Sequence, residues 1–198
     1  MNVKHSDTRT HILAQGRAVM AQKGFNAVGL TELLKLANVP KGSFYHYFAS
    51  KEKFGQALIQ DYVTTYMDDL ESLLAEAGGT AANQLLRYFR CWQQSQTDDC
   101  TTNKCLVVKL SAEIADFSIE MREALQQGTD RVIARLASLI EAGATDGSIH
   151  SDATPVELAE WLYQLWLGAS LLDKLRKNGA AFDDAMRLTR RLIDATDT

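Results

Sequence analysis

Three cysteines, Cys91, Cys100 and Cys105, are the side chains in this sequence best suited to covalent chemistry. Their odd number and irregular spacing predict neither a disulfide framework nor a zinc site. The four histidines are scattered, and the sequence contains no H-E-x-x-H, phosphate loop, G-x-G-x-x-G or nucleophile elbow. We therefore expect a protein that is not an enzyme, with no catalytic residues, no metal and no cofactor.

Cys105 lies where a thiolate would be favoured. Residues 101–103 read Thr-Thr-Asn and can cap a helix predicted over residues 103–115, so Cys105 falls in its first turn. The helix dipole and the neighbouring Lys104 and Lys109 would stabilise negative sulfur, which makes oxidation to a sulfenic acid accessible. The alternative is a small buried residue that packs the start of a helix.

The other two cysteines have less reactive surroundings. Cys100 could resolve a sulfenic acid formed at Cys105, or it could be an idle loop thiol. Cys91 stands between Arg90 and Trp92 inside a predicted helix, which favours a structural role.

A second group of residues could bind DNA. Residues 41–48 mix small, basic and aromatic side chains, and Phe44 and Phe48 are four apart, so both would pack inward on a partner helix. The others would form an outer face that fits a major groove: Lys41, Gly42, Ser43, Tyr45, His46 and Tyr47. For single residues a packing role is the alternative, with Tyr45 against the supporting helix and His46 at the rim.

The hydrophobic pattern predicts the short helices that would position this face. An amphipathic helix over residues 8–23 ends at Gly24, and Thr31 can cap a second helix that ends near Asn38. Pro40 then precedes the third helix, where its missing N–H costs nothing. Three leucines of the second helix are predicted to point inward: Leu33, Leu34 and Leu36.

The rest of the chain also follows a helical period. Ser50 can cap a long helix with Glu52 in its first turn, and Gly78 and Gly79 stop that helix. Its inward face is predicted from five residues: Phe54, Leu58, Tyr62, Leu70 and Leu74. Later helices are predicted over residues 82–94, 103–115, 119–142, 155–177 and 181–195. No strand pattern competes, so the predicted fold class is all-α.

Charge is distributed unevenly along the chain. The net charge is −4, yet residues 1–53 carry eight Lys or Arg against three Asp or Glu, so this part is +5 and the remainder −9. A basic head on an acidic body indicates that only the head faces a polyanion. No apolar run could span a bilayer and the first residues do not resemble a signal peptide, so we expect no membrane partner and a cytoplasmic protein.

The run from Pro40 to Phe48, followed by Ser-Lys-Glu at residues 50–52, resembles the head signature of the TetR family of repressors. The resemblance implies a three-helix helix-turn-helix head in residues 1–53 and a helical effector-sensing and dimerisation domain in residues 54–198. It implies a homodimer on double-stranded operator DNA, with the last two predicted helices as the dimer interface. The implied DNA-contacting residues are Thr31, Lys41, Gly42, Ser43, Tyr45, His46, Tyr47 and Lys51.

Two shorter runs, residues 105–113 and 165–169, are similar to the branch of this family that contains the N-ethylmaleimide reductase repressor. This resemblance implies that an electrophile or oxidant acts on Cys105, helped by Lys174, and releases the DNA. From the sequence alone, Lys174 could simply belong to a basic last helical turn. The alternative effector is a non-covalent apolar ligand in a pocket lined by aromatic residues: Tyr88, Trp92, Trp161, Tyr163 and Trp166.

Overall fold

The computed structural model describes residues 3–76, 78–97, 107, 111, 113–114 and 118–194. Within these residues the regular structure is helical, and an isolated bridge between His150 and Asp194 is the one β-type pairing. The helices are α1 (Val3–Lys23), α2 (Leu30–Leu36), α3 (Lys41–Tyr47), α4 (Lys51–Glu76), α5 (Ala81–Thr97), α6 (Ile119–Asp146), α7 (Pro155–Arg176) and α8 (Ala180–Ile193). The predicted all-α class is confirmed. None of the described helices is long and apolar enough to cross a membrane.

The chain divides into two compact units. One consists of Met1–Tyr66 with Asp99–Gly128, and the other of Met67–Asp98 with Thr129–Thr198. The predicted helix over residues 103–115 falls mostly outside the described residues, although Val107, Ser111, Glu113 and Ile114 are helical.

The first helix starts earlier than predicted and ends as predicted. It begins at Val3 rather than at Thr8, because residues 3–7 contain no glycine or proline that would stop it. At the other end, Gly24 has a φ of +89° and its N–H donates to the Met20 carbonyl at 2.9 Å. Glycine adopts this left-handed conformation without the strain that a Cβ adds, so it ends the helix and turns the chain towards Phe25.

Two predictions about α2 are wrong. The residue before the helix is Gly29, in an extended conformation with no side-chain cap, so Thr31 lies in the first turn and is not the N-cap. Leu36 was expected inside, but 47% of it is exposed, whereas Leu33 is buried and Leu34 half-buried. The buried stripe runs through Leu33 and the C-cap residue Ala37, and Leu36 lies beside this stripe rather than in it.

The start and inner face of α4 match their predictions. The Ser50 hydroxyl accepts a hydrogen bond from the Lys53 N–H at 3.1 Å, which satisfies a free donor of the first turn. A hydrogen bond with the Ser50 side chain, followed by the backbone N–H of Glu52, lowers the pKa of the Glu52 carboxyl. The predicted inner residues are all buried: Phe54, Leu58, Tyr62, Leu70 and Leu74.

The second unit has an aromatic core between α5, α7 and α8. Phe89 stacks on Trp166 with ring centroids 4.6 Å apart, and Phe182 of α8 lies 5.9 Å from the same indole. The helix α7 begins with a capping box, because the Thr154 hydroxyl accepts from the Glu157 N–H and the Glu157 carboxylate accepts from the Thr154 N–H. These contacts fix both the interior and the start of α7.

Candidate nucleic-acid interface and sensor residues

The inner side of α3 is anchored by aromatic packing, as the sequence predicts. Phe44 is fully buried, and its ring centroid lies 5.2 Å from Phe48 and 5.5 Å from Phe54. Pro40 precedes the helix in an extended conformation, with φ −69° and ψ 153°. Because α3 has only seven residues, this anchoring rather than its own propensity holds it in place.

The outer side of α3 is open. Lys41, Gly42, Tyr45 and His46 are exposed, while Ser43 and Tyr47 are half-buried. The Lys41 ammonium lies 5.8 Å from the centroid of the Tyr45 ring, within cation–π range, and Tyr45 is 47% exposed. No atom lies within 4 Å of a Cβ built on Gly42, so the tip of the helix is thin. The six predicted groove residues are therefore brought together at one helix.

A histidine that the sequence did not single out fixes the turn between α2 and α3. The Nε2 atom of His11 lies 2.9 Å from the carbonyl oxygen of Ala37, which caps the C-terminus of α2. A carbonyl only accepts, so Nε2 carries the proton. The next residue, Asn38, has a left-handed φ of +51° and redirects the chain towards α3. This contact joins residues 26 apart, and no local pattern around His11 indicates it.

Lys51, one of the implied DNA-contacting residues, is half-buried and forms contacts within the protein. Its Nζ atom donates to the Phe25 carbonyl at 2.9 Å and lies 4.5 Å from the centroid of the Phe25 ring. Burial lowers the pKa of Lys51, and the carboxylates of Glu52 and Glu113 oppose that shift. Because Lys51 is only half-buried, its charge stays close to the surface of the head. Thr31, another of the implied DNA-contacting residues, is exposed in the first turn of α2.

An arginine that the sequence analysis passed over also borders this face. The exposed guanidinium of Arg9 lies 5.6 Å from the centroid of the Phe48 ring, at the end of α3. Arg9 therefore adds a cation next to α3, in line with the excess positive charge of residues 1–53.

The predicted sensor residues are only partly described. Cys105 and Cys100 lie outside the described residues, whereas Cys91 is a half-buried free thiol on α5. Lys174 is exposed in the last turn of α7. In the described part of the chain no three His, Cys, Asp or Glu side chains come close enough to hold a metal ion.

Four of the five predicted pocket aromatics lie together. Tyr88, Trp92, Tyr163 and Trp166 are buried, and the Trp92 centroid lies 5.9 Å from Tyr88 and 5.6 Å from Tyr163. Both buried indoles have hydrogen-bond partners: Trp92 Nε1 donates to the Ser170 hydroxyl at 2.9 Å, and Trp166 Nε1 donates to the Thr189 hydroxyl at 3.0 Å. Trp161, by contrast, is 48% exposed.

Comparison with known proteins identifies the same two regions. Residues 12–58 match the family model described as bacterial regulatory proteins, tetR family, and residues 81–189 match the tetracyclin repressor-like C-terminal domain. The chain is 40% identical over 195 residues to the HTH-type transcriptional repressor NemR of Escherichia coli, covering 96% of each chain. It is 29% identical to the repressor DhaR of a Mycobacterium species, covering 96% of this chain and 94% of that one. The crystal structure of the reduced form of E. coli NemR superposes with a TM-score of 0.90 at 40% identity, covering 94% of this chain and 97% of that one.

Proposed function

The chain belongs to the TetR family and is a transcriptional repressor, and from that premise we propose that an electrophile or oxidant acting at Cys105 releases it from its operator. The proposal assigns operator binding to residues 1–53, and effector sensing and dimerisation to residues 54–198. The matches over residues 12–58 and 81–189 support this division. A chromosomal operator would place the protein in the bacterial cytoplasm.

The observation that carries the DNA-binding part is the open outer face of α3 on a head of charge +5. Small residues at its tip allow close approach to base edges, and exposed cations around it would neutralise phosphates. In this proposal Lys41, Gly42, Ser43, Tyr45 and His46 enter the major groove. Thr31, Tyr47 and Lys51 border it and hold the register.

An apolar seam on α7 supports a homodimer. Trp161, Leu165, Gly168, Leu172 and Leu175 follow one another at spacings of four, three, four and three, the period of a helix-pairing seam. Three of these side chains leave a large apolar surface exposed in the single chain: Trp161 is 48% exposed, Leu172 40% and Leu175 75%. A second copy of the chain would cover this seam by two-fold symmetry, which suits a palindromic DNA site.

The sensor part rests on the sequence around Cys105. With N-ethylmaleimide, the thiolate sulfur would bond to one alkene carbon, the electron pair of the double bond would move to the other, and solvent would protonate it. With a peroxide, the sulfur would attack one oxygen, the O–O bond would break, and a sulfenic acid and hydroxide or an alkoxide would form. In this proposal Lys174 also contributes to the response, as the resemblance to the electrophile-sensing branch implies.

A reversible apolar ligand is the alternative effector. The aromatic cluster around Trp92 and Trp166 would be its site, but these rings pack on one another and their indole N–H groups are already paired. The arrangement supports a core role for the cluster better than an open pocket, and we therefore prefer the thiol.

The decisive experiment is a selection of genomic DNA fragments by the purified protein, with and without N-ethylmaleimide. We expect enrichment of a palindrome whose half-sites are about one helical turn apart, and its loss after treatment. No enrichment of any fragment would refute the DNA-binding part. Enrichment that survives every thiol reagent, but not an apolar ligand, would favour the alternative effector.

A further inference from the structure

Glu113 places its carboxylate against the turn that joins α1 to α2. The Oε2 atom accepts a hydrogen bond from the Asn26 N–H at 3.2 Å. The Oε1 atom packs so closely on Gly24 that a Cβ at this position would collide with it. These two contacts join residues more than 85 positions apart in the chain. Glu113, which precedes α6, thus contacts the α1–α2 turn of the head.

The same turn is held from another side by α4. The Lys51 ammonium donates to the Phe25 carbonyl, between the two residues that Glu113 contacts. Glu113 is among the charges that raise the pKa of Lys51 against the effect of burial, and Glu52 is the larger one. The turn over residues 24–26 is therefore held by two charged side chains: the Glu113 carboxylate accepts from its Asn26 N–H, and the Lys51 ammonium donates to its Phe25 carbonyl.

The position of this turn determines the position of α2. Phe25 and Val28 are fully buried, and an ion pair of 2.6 Å between Lys23 and Glu32 ties the end of α1 to the start of α2. Since α2 is only seven residues long, contacts at its ends rather than its own length orient it. The helix α3 follows α2 after only four residues, 37–40, so a shift of the turn would move α2 and, through this short link, α3.

We propose that Glu113 is a positioning residue for operator binding, which holds the turn over residues 24–26 and couples the segment before α6 to DNA affinity. The inference rests on the proposed operator binding and extends it to regulation. Cys105 precedes Glu113 by eight residues in the sequence, so the proposed sensor thiol is near this contact along the chain. By thermodynamic linkage, whatever weakens the Glu113 contact lowers operator affinity, and operator binding strengthens the contact.

The first test compares operator Kd values of Glu113→Ala and Glu113→Gln with the wild type. We expect Glu113→Ala to raise Kd about fivefold, a typical coupling between sites, because the turn must then be ordered on binding. Glu113→Gln should stay within about twofold, since its amide oxygen still accepts from the Asn26 N–H. The control is Glu120→Ala, which removes an exposed carboxylate 3.4 Å from Lys53 in the same unit and should change Kd by less than about twofold.

The second test measures the response to N-ethylmaleimide as the ratio of treated to untreated Kd. A residue that only stabilised the fold would leave this ratio unchanged, whereas loss of coupling shrinks it in Glu113→Ala and not in Glu120→Ala. Equal basal Kd values and equal ratios for Glu113→Ala and the wild type would overturn the inference, as would a failure of glutamine to restore binding. A wild type that ignores thiol reagents would refute the proposed sensor alone, because basal Kd still decides the role of Glu113.

Hydrogen exchange of the Asn26 amide gives a readout without an effector. We expect faster exchange in Glu113→Ala than in wild type, and slower exchange in the wild type when operator DNA is added. An Asn26 amide that exchanges equally in both proteins would overturn the inference even if the sensor is correct. If the wild type binds no DNA, the proposed operator binding fails, but faster exchange in Glu113→Ala would still support the contact between Glu113 and the turn over residues 24–26.

Discussion

At the scale of single residues, the head uses cations in two ways. Arg9 and Lys41 lie against aromatic rings with their charges exposed, which leaves them available to a polyanion. Lys51 instead donates to the Phe25 carbonyl and stabilises the α1–α2 turn. A lysine ammonium has three donors, so this internal bond leaves two for a phosphate. A phosphate contact by Lys51 would make operator affinity depend more strongly on salt, whereas its bond to the Phe25 carbonyl would not.

Lys51→Ala is expected to weaken operator binding for every sequence and to reduce the slope of log Kd against log salt by about one charge. Binding titrations at several salt concentrations measure both effects. Lys53→Ala is the control, because this neighbouring lysine is exposed and pairs with Glu120. A weaker affinity with an unchanged slope would mean that Lys51 acts only through the turn. Lys41→Ala should differ from both by changing which sequences are preferred.

Cys105→Ser is expected to bind the operator like the wild type and to lose its response to N-ethylmaleimide. Serine roughly keeps the side-chain volume and removes the nucleophile. Gel-shift titration against reagent concentration measures the response. Cys91→Ser, a change at the half-buried thiol of α5, is the control and should respond normally. Lys174→Ala should respond less. Release of Cys105→Ser at the wild-type dose would exclude this cysteine as the sensor.

At the scale of elements, side-chain caps stabilise the starts of α4 and α7. The capping box at the start of α7 pairs Thr154 with Glu157 in both directions. A hydrogen bond with the Thr154 side chain, and then one with its N–H, lowers the pKa of the Glu157 carboxyl. A carboxyl whose pKa is lower in the folded state stabilises that state above its unfolded pKa, and the contribution disappears as the pH falls through the folded value.

Thr154→Ala is expected to lower the free energy of unfolding by about 1 kcal/mol at neutral pH, as the loss of an N-cap typically does. Thermal and denaturant unfolding measure it. The contribution of the Glu157 carboxylate should fade as the pH falls below the ordinary glutamate range, so the difference between wild type and variant should narrow there, while the part due to the Thr154 hydroxyl accepting from the Glu157 N–H persists. The control is Thr145→Ala, whose hydroxyl donates to a carbonyl within α6 at 3.0 Å and caps nothing. Equal losses for both variants would contradict the role of the cap.

At the scale of the whole molecule, the family assignment and the charge distribution agree. The relatives are transcriptional repressors and regulators, and the protein is not an enzyme. Their DNA-binding and C-terminal family regions correspond to a basic head and an acidic remainder in this chain. The homodimer remains a proposal, and the seam on α7 gives it a direct test.

The double change Leu172→Glu with Leu175→Glu is expected to give monomers at micromolar concentration and to abolish tight operator binding. Two carboxylates per chain would be buried against their twins in a symmetric interface, which is costly for both desolvation and repulsion. Sedimentation and circular dichroism measure assembly and helicity. Ile119→Glu is the control, because it places a charge on an exposed apolar residue of another helix, whose 62% exposure lies between the 40% of Leu172 and the 75% of Leu175. A stable dimer of the double variant would place the interface elsewhere.

The sequence by itself determined what depends on neighbours along the chain. The spacing of Phe44 and Phe48, the glycine after Lys23 and the serine before α4 are signals within one or two turns, and the structure agrees with each. Only the tertiary structure decided the contacts of His11 with Ala37 and of Glu113 with Asn26, because these join residues 26 and 87 positions apart. The exposure of Leu36 was also decided by the tertiary structure, because the buried side of a seven-residue helix depends on what packs against it rather than on its own pattern.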